Sequence, residues 1–271
     1  MKEIKQIINE AEAILITAGS GMGVDSGLPD FRGDDGFWKA YPIGKELNLS
    51  FQEMANPIWF ITNPPMAWAF YGHRYNLYKN IIPHDGFKIL LDLVKTKNDN
   101  YFIFTSNVDG QFQKAGFDSE KIIECHGSIS YFQCSNNCKR EIWEGNEEFE
   151  IDMDKFESIT IPLCPECGDI ARPNILMFGD WKWNYKRTSI QQKKYSKWLE
   201  QNKNKKILII ELGAGTTIST VRRESETIAK YYNGKLIRIN PLEFNVDEKY
   251  GFSISAGAKE GLRSNYFKLG L

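Results

Sequence analysis

Apolar residues at Ile4, Ile7, Ile8 and Ala11 recur at helical spacing, and the run at 13–17 (AILIT) that follows is nearly unbroken before it enters a glycine-rich stretch. The first pattern predicts a helix and the second a short strand buried on both faces. Similar runs stand at 101–106 (YFIFTS), 121–125 (KIIEC), 206–213 (KILIIELG) and 235–240 (KLIRIN), with helical patterns over 86–97 and 218–232. Strands alternating with helices predict an α/β protein, a Rossmann-like parallel sheet with helices on both faces.

Two segments break that rhythm. Residues 35–82, with seven aromatics between Trp59 and Tyr78, carry no strand signal and predict a helical insertion. Residues 130–170 hold four of the five cysteines around an acidic, weakly patterned middle. The expected organisation is one nucleotide-binding domain made of 1–34, 83–129 and 171–271, with 35–82 and 130–170 forming a small second domain. A chain of 271 residues can bury both cores.

Charge narrows the partners. With 34 basic and 35 acidic residues the net charge is −1, which gives no electrostatic basis for binding nucleic acid or an anionic membrane. The locally basic 193–206 fits the solvated face of a polar helix. The N-terminus mixes charged residues among apolar ones and lacks a cleavage site, and no run reaches membrane-spanning length, so a cytoplasmic location is expected. In that compartment cysteines are thiols or metal ligands rather than a disulfide framework.

The stretch ITAGSGMGVDSGLPDFRG at 16–33 carries the first chemistry. Gly19, Gly21 and Gly23 follow a strand, where backbone N–H groups can approach a pyrophosphate, although Val24 stands where a dinucleotide fingerprint has its last glycine. A plain tight turn would also use these glycines. It would not need the aromatic plate and two opposite charges of Asp30, Phe31 and Arg32. TSNVDG at 105–110 puts Ser106, Asn107 and Asp109 at the end of a predicted strand, the edge at which open parallel sheets bind ligands. His126 ends another such strand and can take a proton near neutral pH; Cys125 beside it points to the opposite face and belongs to the core. Cys134, Cys138, Cys164 and Cys167 form two hooks, C-x3-C and C-x2-C, that fit a structural zinc ribbon with no open coordination position.

In their order, these motifs resemble the sirtuins, the NAD-dependent protein deacylases, over roughly residues 13–260. The resemblance implies that Gly19, Ser20, Gly21, Asp30, Phe31 and Arg32 bind NAD, joined by Ser106, Asn107 and Asp109 around the nicotinamide and its ribose. GAGTT (213–217) and INP (239–241) look like the family's adenosine-side segments, which implies roles for Gly215, Thr216, Thr217 and Asn240. His126 matches the catalytic base, with Asn107 and Asp109 completing the catalytic set. RPNILMFGD (172–180), a predicted edge strand, resembles the segment that binds the acyl-lysine peptide, so Leu176, Phe178 and Gly179 are expected to touch substrate, an acyl-lysine protein or peptide. Zinc would be structural, and NAD would be consumed as co-substrate, giving nicotinamide, free lysine and O-acyl-ADP-ribose.

Tyr71 and Arg74, at i and i+3 on a predicted helix, resemble the Tyr-x-x-Arg pair of the desuccinylase branch and would suit an acyl chain that carries a carboxylate. The Asp at 30 departs from the Thr usual in that branch. Gly23 stands where the family usually has serine, and Ser106 where it has glutamine. Both departures favour other fates at C1′ of the ribose, which keeps an NAD glycohydrolase or a mono-ADP-ribosyltransferase as the alternative.

Overall fold

The computed structural model describes residues 2–29, 33–139 and 141–267. The strands are β1 (Ala13–Ala18), β2 (Tyr101–Thr105), β3 (Ile122–Glu124), β4 (Gly127–Cys134), β5 (Trp143–Glu144), β6 (Ile151–Asp152), β7 (Glu157–Ser158), β8 (Ala171–Ile175), β9 (Ile207–Leu212), β10 (Lys235–Ile239) and β11 (Gly251–Ile254). The helices are α1 (Lys2–Glu10), α2 (Gly21–Val24), α3 (Gly33–Ala40), α4 (Pro42–Glu46), α5 (Phe51–Met54), α6 (Trp59–Thr62), α7 (Pro64–Asn80), α8 (Asp85–Lys95), α9 (Gln111–Lys114), α10 (Lys186–Asn202), α11 (Thr220–Tyr231) and α12 (Ala258–Arg263).

Six strands form one parallel sheet in the order β11-β10-β9-β1-β2-β3. Every residue of β1 and of β9 is buried, which is why both are largely apolar in the sequence, interrupted only by Thr17 and Glu211. Ile14, Ile16 and Ile210 face the side covered by α1, α8 and α12, where Ile8, Leu90 and Leu262 pack. Leu15 and Ile209 face the other side, against Tyr195 and Trp198 of α10 and Val221 and Ile228 of α11. Each such aliphatic side chain contributes about 1.5–3 kcal/mol of burial, so the two faces together hold the sheet.

Residues 35–82 are helical, and their aromatics are a core of their own. Trp68 stacks on Phe149 with ring centroids 4.7 Å apart, and its indole N–H donates to the Ala171 carbonyl at 3.0 Å, tying α7 to β8. α7 opens with Pro64 and Pro65 after Asn63, whose side chain accepts from Met66 N; prolines at the first turn sacrifice no helical bond. β4 pairs antiparallel with β5 and β8 in a second, three-stranded sheet, and β6 and β7 form a two-stranded ribbon beyond it. The expected boundary between 129 and 130 therefore falls inside β4.

The strand predicted over 172–180 is shorter. β8 ends at Ile175 as the edge of the small sheet, and the chain from Leu176 leaves as a loop. The apolar run continues past the strand because Met177 turns back into the small-domain core.

Candidate active site

The carboxyl ends of β1, β2 and β3 bring the sequence motifs together through backbone bonds. Ser106 N and the Thr105 hydroxyl both donate to the Ala18 carbonyl, at 3.1 and 3.0 Å. Asn107 N donates to Thr105 Oγ1 at 3.0 Å, and the Asn107 carboxamide Nδ2 donates to the Gly19 carbonyl at 3.0 Å. Ile129 N bonds to the Val108 carbonyl at 3.0 Å, and Leu176 N to the His126 carbonyl at 3.0 Å. These bonds gather Asn107, His126, Leu176 and the Gly19–Ser20–Gly21 turn at the carboxyl ends of the strands, with Asp109 two residues beyond Asn107.

Asp109 accepts from Gln111 N at 2.9 Å. Burial pushes its carboxyl up to about 6, with the Glu124 charge adding to the rise and the Arg74 guanidinium opposing it. Burial pushes the half-exposed His126 imidazole below its ordinary value, so it is neutral and able to accept a proton at neutral pH. The Cys125 thiol is pushed up to about 12 by burial and stays protonated, as a core residue would. Two residues before His126, the buried Glu124 at the end of β3 ion-pairs with Arg187 and accepts from Gln191 Nε2 at 3.3 Å. Sequence reasoning missed Arg187 and Gln191. The signal was present as a carboxylate inside an apolar run, which a buried strand tolerates only with partners.

Two glycine loops interlock. Gly21 N donates to the Gly213 carbonyl at 3.0 Å, and Gly213 has φ +59°, where a Cβ would stand 2.3 Å from Gly21 C. Only glycine permits that contact. Thr216 and Thr217 are exposed on this loop, and Thr216 donates both its N–H and its hydroxyl to Glu243. Asn240 is fully buried; its Nδ2 donates to the Ala214 carbonyl at 2.9 Å and its Oδ1 accepts from Leu242 N and Glu243 N. Its side chain shapes the loop from below. At Gly23 a Cβ would come within 2.9 Å of Leu28 Cδ1, so the absent serine matches a tighter fit at Leu28. Asp30, Phe31 and Arg32 lie outside the described residues.

Tyr71 and Arg74 share one face of α7, with the guanidinium carbon 5.7 Å from the Tyr71 ring centroid. Both are buried, and Arg74 Nε donates to the Tyr78 hydroxyl at 3.0 Å while the guanidinium also lies over the Phe70 and Tyr78 rings. Leu176, bonded to the His126 carbonyl, and Gly179 are exposed, and Phe178 is held by its N–H on the Ala55 carbonyl at 3.0 Å and by an edge contact with Phe51.

The Sγ atoms of Cys134, Cys138, Cys164 and Cys167 all lie within 4.8 Å of one another, with Cys134–Cys167 and Cys138–Cys164 each at 3.5 Å. A tetrahedron of thiolates at zinc distance has edges of about 3.8 Å, so the cluster fits zinc. The extra residue of the C-x3-C hook is absorbed at Asn137, in the left-handed region at φ +51°.

An open parallel α/β sheet with two interlocked glycine loops and convergent polar groups at its carboxyl edge is a Rossmann-like, dinucleotide-type architecture. The Sir2 family model matches residues 19–213. The chain belongs to the Sir2 family, the sirtuins. The NAD-dependent protein deacylase of Aquifex aeolicus (strain VF5) is 29% identical over 253 residues, 93% of each chain. That of Leptospira interrogans serogroup Icterohaemorrhagiae serovar copenhageni (strain Fiocruz L1-130) is 30% identical over 246 residues, 89% of this chain and 87% of its own. Among solved structures, a Sir2 homolog–NAD complex superposes with a TM-score of 0.71 at 21% identity, covering 97% of this chain and 91% of that one. Sir2 bound to acetylated peptide gives 0.69 at 22%, covering 97% and 95%. At these identities the structures show a common fold. Among the described residues, no helix is long and apolar enough to cross a membrane.

Proposed function

We propose that this chain is an NAD-dependent protein-lysine deacylase, releasing nicotinamide, deacylated lysine and O-acyl-ADP-ribose. The observation that carries the reading is the 3.0 Å bond from Leu176 N to the His126 carbonyl, which sets a neutral imidazole beside an exposed segment able to line a peptide site. The relatives described above bear the name deacylase, and the residues here suit that chemistry. NAD, when bound, supplies an electrophilic ribose carbon and a leaving nicotinamide. Gly19, Ser20 and Gly21 would hold its pyrophosphate, with Gly215, Thr216 and Thr217 on the adenosine side. Asn107 orients polar groups over the Gly19 turn, Asp109 lines the nicotinamide pocket, and His126 accepts a proton from a ribose hydroxyl. Leu176, Phe178 and Gly179 receive the acyl-lysine peptide. Cys134, Cys138, Cys164 and Cys167 hold a structural zinc and stand away from these steps.

For the acyl chain, acetyl is the first candidate, and Tyr71 and Arg74 add succinyl or malonyl beside it, since a guanidinium with a phenol on the same helix face suits a carboxylate. A second reading, NAD glycohydrolase or mono-ADP-ribosyltransferase, draws on Gly23 and Ser106. Mass spectrometry of NAD products with matched acetyl-, succinyl- and unmodified lysine peptides separates them. O-acyl-ADP-ribose formed only with an acylated peptide supports deacylation, and the productive peptide identifies the acyl chain. Equal rates of free ADP-ribose release with and without peptide would establish the second reading instead.

A further inference from the structure

His84 lies outside the catalytic set, buried between the glycine loop and α8. Its Nδ1 accepts from Gly86 N at 3.0 Å, capping the start of α8, and its Nε2 lies 3.0 Å from the Met22 carbonyl in the last turn of α2. Both partners have fixed roles: an amide N–H only donates and a carbonyl only accepts. Nδ1 is therefore unprotonated and Nε2 carries the hydrogen. The backbone joins the same linkage. His84 N donates to Ser26 Oγ at 3.0 Å, and Ser26 Oγ donates to Gln111 Oε1 of α9 at 2.8 Å.

We propose that His84 is a positioning residue that fixes the 19–26 loop for NAD by bridging the end of α2 to the start of α8, and that only its neutral form can do so. The inference rests on reading this loop as the pyrophosphate site. A second proton on the ring would turn Nδ1 into a donor facing the Gly86 N–H, break the α8 cap and place a positive charge at a helix N-terminus, where the macrodipole opposes it. The charged groups around the ring are Asp25 on the loop, Asp85 at the start of α8, and Lys259 on α12, with Arg263 of α12 held by Asp85. The two carboxylates favour the protonated ring, Lys259 opposes it, and burial outweighs the carboxylates, keeping His84 below the ordinary imidazole range. The loop is thus in its binding shape at neutral pH and released under acid.

The test uses the full-length protein and ADP-ribose, with affinity measured by calorimetry from pH 7.5 to 5.5 alongside the melting temperature. Wild type should weaken at least fivefold on acidification. His84→Asn offers an oxygen to Gly86 N but does not reach Met22, so it should lower the melting temperature by only a few degrees, bind three- to tenfold more weakly at pH 7.5 and lose the pH dependence. Ser26→Ala should weaken binding while retaining the pH slope. Wild-type affinity in His84→Asn would reduce the residue to a structural cap, and an unchanged pH slope in that variant would remove its titration from the account; either result overturns the proposal. Wild-type protein that binds no ADP-ribose at pH 7.5 would instead defeat the pyrophosphate reading itself.

Discussion

The Arg172 guanidinium and the Asp180 carboxylate meet through two bonds, of 2.7 and 2.9 Å, with both side chains almost wholly excluded from solvent. The chain between them contains Leu176, Phe178 and Gly179, so this pair clasps the base of the proposed peptide segment. Asp180 also accepts from Lys182 N at 3.1 Å. Arg172→Met strands a buried carboxylate and should cost about 3–5 kcal/mol in urea denaturation. The double variant Arg172→Met/Asp180→Leu should recover most of that stability, while its KM for an acylated peptide stays raised because the loop has lost its clasp.

Asp109 has a cost built into the fold. Its folded-state pKa of about 6 exceeds the unfolded value of 3.8, so the ionised carboxylate destabilises the fold above pH 6, and the penalty disappears as the pH falls toward 4. Asp109→Asn keeps an oxygen for Gln111 N and should stabilise the protein at pH 7.5 by on the order of 1–2 kcal/mol, discounted for partial exposure. The gain should fade on acidification below pH 6, read by melting temperature against pH. Nicotinamide release should fall in the same variant, which would mark a site maintained at the expense of stability.

Asn107→Ala removes the donor to the Gly19 carbonyl. Loss of one partly buried hydrogen bond should lower the melting temperature by about 2–4 °C in a chain of this size. Misplacing the turn should slow NAD cleavage by roughly 100-fold. Equal losses in stability and turnover would count against a positioning role for the carboxamide.

Cys164 is one of the two buried thiols of the sulfur cluster. Cys164→Ala should abolish stoichiometric zinc in elemental analysis and lower the melting temperature by several degrees, and a strong chelator should reproduce the shift in the unsubstituted protein. Retained stability in metal-free protein would show that the thiols close the ribbon unaided.

The five strands read from largely apolar runs all exist, ending within a residue or so of the expected positions, because a strand buried on two faces has few polar side chains to blur its pattern. β4 and β11 were not legible. β4 mixes serine and glutamine with aromatics because a register shift between Ser128 and Phe132 interrupts its pairing, and β11 is a half-exposed edge strand. At the site, Asn107, His126 and the glycine turn could be located from sequence since each stands at a strand end. Glu243, Arg187 and His84 could not, because their importance lies in contacts across distant parts of the chain. The burial of Asn240 was equally hidden: a carboxamide after a strand looks the same whether it faces a ligand or three backbone groups.

β1 pairs on one side with β2 and on the other with β9, which begins at Ile207. During synthesis its second edge has no partner until β9, almost 190 residues later, leaves the ribosome, a wait of roughly ten seconds or more at ordinary elongation rates. A largely apolar strand with an open edge is a template for intermolecular pairing. Chains halted before residue 207 are therefore bound to be sticky, and the yield of active protein depends on how well that edge is shielded while translation finishes.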